Sequence, residues 1–151
     1  MIELVRTDSS HPDFVNLVKH LDAYLAEADG AEHAFYDQFN KIDHLNYVVL
    51  VYSMNKAVGC GAIQEAEAGT MEIKRMFVQP DHRGRGIASV ILSDLEKWSM
   101  ELHCFKSKLE TGRKQQAAVR LYMSRGYDRI PNYGQYKGME NSLCFEKELR
   151  H

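Results

Sequence analysis

Cysteine, proline and tryptophan are scarce in this chain: three, three and one among 151 residues. Cys60, Cys104 and Cys144 form an odd, widely spaced set in apolar surroundings. That argues against a disulfide framework and predicts reduced, buried small hydrophobes. The seven histidines are scattered. Neither Cys-x-x-Cys nor His-x-x-x-His occurs, so no metal site is expected. Long apolar runs are missing too, and the longest, 47–52, is far too short to span a bilayer. The opening Met-Ile-Glu-Leu-Val-Arg lacks a charged region followed by an apolar one. No signal peptide and no membrane partner are therefore expected, and the cytoplasm is the default compartment. Neither charge sign is in large excess: the formal net charge is -2, which gives nucleic acid no electrostatic footing. Repeats, linkers and low-complexity stretches are absent. No Gly-Lys-Ser/Thr occurs, which rules out a nucleotide triphosphate P-loop. No third glycine stands at dinucleotide-fold spacing, and the chain is too short for two nucleotide-binding halves.

What is present is 44% hydrophobic residues, enough to build a core in one domain over 1–151. Alternating and β-branched stretches predict strands over 2–6, 45–54, 57–65, 71–78, 107–110, 127–130 and 142–148. Those over 45–78 read as an antiparallel meander of three, with a hairpin turn at Asn55-Lys56. Glycines 59 and 61 inside a strand mark a bulge or a close backbone approach. Phe14, Leu17, Val18, Leu21 and Leu25 recur at helical spacing after Ser9-Ser10-His11-Pro12, predicting a helix that ends at Asp29-Gly30. Two further helices are predicted over 84–104 and 114–125. Phe35, Tyr36, Phe39 and Ile42 suggest a short extra helix packed on the sheet. The resulting order is β-α-(α)-β-β-β-α-β-α-β-β, an α/β (α+β) arrangement.

The stretch that organises the chain is 76–89, Met-Phe-Val-Gln-Pro-Asp-His-Arg-Gly-Arg-Gly-Ile-Ala-Ser. A strand ends at Pro80-Asp81, Gly84 and Gly86 follow, and a helix begins. Glycines let backbone approach a ligand closely. The first turn of a helix offers unbonded N–H groups at the positive end of a dipole. Strand, glycine turn and helix N-terminus together suit a phosphate, with Arg83 and Arg85 adding charge at the rim. The arginines and lysines of 74–85 form a local patch consistent with a phosphate-rich small ligand. On its own, a Gly-x-Gly leaves a plain surface turn as an equal reading.

Arg83-x-x-Gly86-x-Ala88, Leu109-Glu110-Thr111 and Ala118-x-x-Leu121-Tyr122-x-x-x-Gly126-Tyr127 occur in order, and together they resemble the GNAT superfamily of acetyl-CoA-dependent N-acyltransferases. The resemblance covers roughly residues 45–149. It implies a GNAT-like acyl-CoA N-acyltransferase fold: a central mixed, mostly antiparallel sheet, splayed between its fourth and fifth strands and flanked by helices. The co-substrate would be acetyl-CoA, with no metal. Backbone of Met76, Phe77 and Val78 would meet the pantetheine arm. N–H groups of Gly84, Arg85, Gly86, Ile87, Ala88 and Ser89 would hold the pyrophosphate. Gln115 stands where the family often has an asparagine that touches CoA.

Amide formation from a thioester needs the amine to lose a proton, the carbonyl to be polarised, and the leaving thiolate to be helped by a proton. By resemblance, Tyr122 is the general acid. Glu72 or Glu110, acting directly or through a water, is the general base. Phe35, Tyr36, Tyr133 and Tyr136 would shape the acceptor pocket. The expected acceptor is a primary amine on a small molecule or a protein. The acidic residues near 29–37, with Glu65 and Glu67, point to a cationic amine or are simply solvated surface. Two other readings stay open: a non-catalytic acyl-CoA-binding or sensor module on the same scaffold, and transfer of a longer acyl group. Exposed sheet edges leave a homodimer open.

Overall fold

Pro12 sits in the first turn of a helix, where its missing N–H is not needed. The His11 side chain caps that turn, Nδ1 accepting the Asp13 N–H at 3.1 Å. The helix, α1 (Pro12–Asp29), buries Phe14, Leu17, Val18 and Leu21 along one stripe. The computed structural model describes residues 1–30 and 44–150, with the side chains of Ala28 and Asp29 excepted. Phe35 and Tyr36 lie outside the described residues, as does the extra helix expected there.

The strands are β1 (Ile2–Thr7), β2 (Tyr47–Ser53), β3 (Lys56–Glu67), β4 (Thr70–Val78), β5 (Lys106–Gly112), β6 (Asp128–Ile130) and β7 (Ser142–Glu148). Two more α-helices, α2 (Ile87–Glu101) and α3 (Gln116–Ser124), and two short 3-10 turns, Pro80–His82 and Gly134–Tyr136, complete the described elements. The strands form one seven-stranded sheet in the order β1-β2-β3-β4-β5-β7-β6. Every pairing is antiparallel except β4 with β5. This is the mixed, mostly antiparallel sheet that the sequence predicts. The predicted meander is β2-β3-β4. Met54 and Asn55, both at positive φ, make its first turn.

Both faces of the sheet are covered, which is why β2 reads as an unbroken apolar run. Val48 and Leu50 pack toward α1 with Phe14, Leu17, Cys60 and Phe77. Val49 and Val51 pack on the opposite face with Ile91, Leu95, Leu109, Tyr122 and Phe145. Each such side chain, fully buried, stabilises the fold by about 1.5–3 kcal/mol. Gly61 explains how α2 sits so close. A Cβ there would fall 2.6 Å from Met76 Sδ and 2.8 Å from Ile91 Cγ2. The missing side chain lets α2 lie on β3 and sets its N-terminus at the end of β4.

Two helices are shorter than the sequence reading, for local reasons. The helix expected over 84–104 runs Ile87–Glu101: Gly84 and Gly86 hold φ +79, and His103 holds φ +67, all outside helical geometry. The helix expected over 114–125 begins only at Gln116, because Gln115 N–H is taken by Gly112 O at 3.0 Å. The last two strands are not laid down in order, since β7 inserts between β5 and β6.

Candidate active site

The site is made by a parting of strands. β4 and β5 pair over three residues only, Thr70 to Glu72 against Lys106 to Lys108, and then separate. Within β4, Cys60 pairs with Phe77 and Ala62 with Lys74, so Arg75 and Met76 together oppose the single residue Gly61. This is a β-bulge, with Arg75 at φ +59, and bulges bend and twist the strand that carries them. A cleft of about 1020 Å3 opens at the parting. Met76, Phe77 and Val78 line it from β4, and Glu110, Thr111 and Gly112 from β5. Such a volume suits a sizeable small-molecule ligand.

One end of the cleft is the glycine turn. After β4, Gln79 N–H bonds Val58 O at 2.8 Å, and a short 3-10 turn, Pro80–His82, leads to Arg83. Gly84 and Gly86 adopt φ +79, yet a Cβ on either would meet nothing within 4 Å. Conformation, not protein crowding, is what these two glycines supply. Gly86 caps α2, whose first bond runs from Val90 N–H to Gly86 O at 3.1 Å. The N–H groups of Ile87, Ala88 and Ser89 therefore have no intrahelical acceptor, and all three residues line the cleft. Arg83 lines it too. Its Nε donates to Val78 O at 2.9 Å, and its guanidinium lies over the Tyr24 and Phe77 rings at 5.3 and 5.7 Å. Arg85 is exposed and outside the lining. Gln115, at the start of α3, lines the far wall.

The middle of the cleft carries the titratable groups. Tyr122 of α3 is buried edge-on against Tyr127 at 5.8 Å and lines the cleft with Glu110. Burial, then the Glu110 charge, pushes its phenol well above the ordinary tyrosine value, so it stays protonated. Glu72 lies where the strands part. Its Oε2 accepts the Tyr133 hydroxyl at 2.8 Å, and Lys74 Nζ stands 3.8 Å from Oε1. Tyr133 packs edge-on against Tyr136 at 5.7 Å, beneath Lys108 Nζ at 4.0 Å from its ring centre. Tyr136 is 4% exposed and lines the cleft; Tyr133 reaches it only through Glu72 and Tyr136. Asn132 Nδ2 pins this loop by donating to Tyr136 O and Met139 O at 3.1 and 2.9 Å.

Residues 14–127 match the family model described as "Acetyltransferase (GNAT) family". The chain belongs to the GNAT family of acetyltransferases. An Azospirillum brasilense protein named IAA acetyltransferase is 34% identical over 152 residues, covering 98% of each chain. A Klebsiella pneumoniae crystal structure assigned as an acyl-CoA N-acyltransferase superposes with a TM-score of 0.83 at 28% identity, covering 99% of each chain. A GNAT acetyltransferase from Elizabethkingia anophelis, solved with acetyl-CoA bound, superposes with a TM-score of 0.68 at 19% identity over 98% of each chain.

The splayed sheet of a GNAT acyltransferase is thus the one built here. Of the residues singled out from sequence, the cleft gathers Glu72, Met76, Phe77, Val78, Arg83, Gly84, Gly86, Ile87, Ala88, Ser89, Glu110, Gln115, Tyr122 and Tyr136 in its lining. Glu65 and Glu67 are exposed and outside the lining. Glu67 is spent on Lys108, at 3.5 Å. Sequence reasoning passed over Tyr24 and took Lys74 and Arg75 only as part of the cationic patch of 74–85; all three line the cleft. The three cysteines are buried and free, as their apolar surroundings predict. No described helix is long and apolar enough to cross a membrane.

The buried phenols of this GNAT site set an alkaline limit on stability. Burial is the main cause that pushes Tyr122, Tyr127, Tyr133 and Tyr136 above their ordinary values, and it takes the Cys60 thiol to about 12. In the unfolded chain the thiol ionises near 8.5 and the phenols near 10. Above those values the folded state holds more protons than the unfolded one, so stability falls as pH rises. Each group kept fully protonated costs roughly 1.4 kcal/mol per pH unit. Urea midpoints should therefore begin to drop above about pH 8.5 and drop steeply beyond about pH 10. A midpoint constant from pH 8 to 11 would contradict the burial of these groups.

Proposed function

We propose that this GNAT protein moves an acetyl group from acetyl-CoA to a primary amine, with both substrates bound together. The observation that carries the reading is the strand parting itself. It brings the N-terminus of α2, a buried protonated Tyr122 and two carboxylates to one cleft. The left-handed turn and the unbonded N–H groups of Ile87, Ala88 and Ser89 suit a pyrophosphate. The acetyl-CoA-bound Elizabethkingia neighbour supports that assignment. Met76, Phe77 and Val78 present strand backbone to the pantetheine arm, and one of their N–H groups polarises the carbonyl. Acetyl-CoA supplies an activated acyl group whose C–S bond breaks as the C–N bond forms.

The chain's own groups then handle two protons. Tyr122 gives its phenolic proton to the departing sulfur. Glu72 or Glu110 takes the proton that the amine sheds, directly or through one water. Holding the reactants in place supplies much of the barrier reduction, so no covalent nucleophile is required.

The test is release of free thiol from acetyl-CoA across a panel of primary amines, run with Glu72→Gln and Glu110→Gln beside the wild type. The variant lacking the base should lose roughly 10²-fold or more in turnover. Its deficit should narrow as pH rises and the solvent deprotonates the amine. The other variant should stay within about tenfold. Wild-type turnover in both variants would remove a carboxylate base from the reading, and no thiol release with any amine would remove the transfer itself.

A further inference from the structure

Arg75 is a buried charge for which the proposed proton transfers have no use. It occupies the β4 bulge at φ +59, and its side chain is only 4% exposed. Nη2 donates to Asp22 of α1, whose carboxylate is 44% exposed. Nε and Nη1 are buried and have no hydrogen-bond partner among the described residues. A buried cationic donor left unpaired is costly. Native proteins rarely keep one without a reason such as catalysis, strain or an absent ligand.

Its position supplies a reason. Arg75 lines the cleft, and so does Lys74 beside it. Lys74 Nζ stands 3.8 Å from Glu72, beyond hydrogen-bond reach. The same cleft therefore has carboxylates, Glu72 and Glu110, at the strand parting, the Lys74 ammonium ion-paired with Glu72 there, and the Arg75 guanidinium at the bulge. An acceptor with an amine and an acid group on a short frame would meet both kinds of charge.

We propose that the acceptor carries a carboxylate, read by Arg75 with help from Lys74, so that the acceptor class is amino acids and their close analogues. This rests on the acetyl-transfer reading above and narrows it. The amine lies toward Glu72 and Glu110. The acid lies toward the bulge, where an Arg–carboxylate hydrogen bond in a water-poor setting is among the stronger polar contacts available. Asp22 already holds one guanidinium nitrogen and sets the direction in which the others point.

The experiment compares matched pairs of acceptors: amino acids, their carboxamides and their aminophosphonate analogues, scored by kcat/KM for thiol release. In parallel, N-acetylamino acids and their carboxamides are titrated calorimetrically into the protein–CoA complex. At least one pair should favour the acid by tenfold or more in both assays. Arg75→Gln should bring that ratio close to one while changing turnover of the carboxamide only a few-fold, and Arg75→Lys should restore part of it. Should Arg75→Gln fail to fold, Asp22→Asn answers the question. Relieved of its internal partner, the guanidinium should favour the acid more strongly than in wild type. An Arg75 that only ties α1 to the bulge predicts instead an equal loss for acid and carboxamide. Equal handling of acid and carboxamide by the wild type would overturn the proposal, as would a phosphonate preferred over the carboxylate. So would a ratio unmoved in Arg75→Gln. Turnover of neutral amines with no acid preference would leave acetyl transfer standing and remove this inference alone. If no amine is turned over, the calorimetric pairs still decide it.

Discussion

Gly86→Asp is expected to abolish CoA binding in a protein that still folds. Gly86 stands at the N-cap of α2 with φ +79, exposed, and with no atom within 4 Å of where a Cβ would lie. The left-handed conformation costs a side chain about 1–2 kcal/mol, and aspartate tolerates it better than most. An N-terminal carboxylate also favours the helix dipole. The net effect on stability is therefore small. Its effect on a pyrophosphate is not. The carboxylate would compete for the N–H groups of Ile87, Ala88 and Ser89 and place a negative charge beside the phosphate oxygens. At about 4 Å and an effective dielectric near 20, that repulsion is of order 4 kcal/mol per charge pair, which is roughly 10³-fold in affinity. Gly86→Ala carries the same conformational strain without the charge and should lose far less. Calorimetry is the measurement, with a thermal melt to show that the variant is folded. Unchanged CoA affinity in folded Gly86→Asp would remove the phosphate-cradle assignment.

The glycine turn was legible in sequence because its requirements are local. Left-handed φ, a strand stop at Pro80 and an apolar stripe from Ile87 onward are each written in consecutive residues. The sheet was legible for a related reason. Val48 to Val51 are buried on both faces, so the strand could be read from composition alone. Tyr122 and Glu110 came from a family resemblance rather than from periodicity, since a lone tyrosine on a helix is usually packing. Gly61 marked a bulge or a close approach in sequence, but that the extra residue sits on β4 at Arg75 and Met76 was not legible. It depends on which residue of β3 faces which residue of β4, and register across strands is a tertiary fact. The place of Lys74 and Arg75 was hidden with it: in sequence they belong to the cationic patch of 74–85, and only the register shows that both line the cleft, with Lys74 beside Glu72. The insertion of β7 between β5 and β6 likewise follows from the pairing of β7 with β5, thirty or more residues away in the sequence, which no local pattern encodes.

Replacing Tyr122 by Phe should leave acetyl-CoA affinity nearly unchanged and lower turnover by roughly 10²-fold or more, the usual scale for one acid–base group. The ring does the packing. It lies edge-on to Tyr127 at 5.8 Å and tilted on Phe145 at 6.5 Å, and phenylalanine keeps both contacts. Only the hydroxyl is lost. That hydroxyl is held protonated by burial and by the Glu110 charge, so at neutral pH essentially every molecule carries the proton to be given. An acid with a raised value also predicts that the wild-type rate does not decline through loss of this proton until pH is beyond the ordinary tyrosine range. A thiolate is already a good leaving group, which places the expected drop at the lower end of the scale. Single-turnover rates and acetyl-CoA affinity should be measured side by side, because a loss of binding would otherwise imitate a loss of catalysis. A folded Tyr122→Phe protein with the wild-type single-turnover rate would return Tyr122 to the core as a packing residue. The proton for the departing sulfur would then have to come from solvent, and a reading in which this cleft binds acyl-CoA without turning it over would gain the ground that catalysis lost.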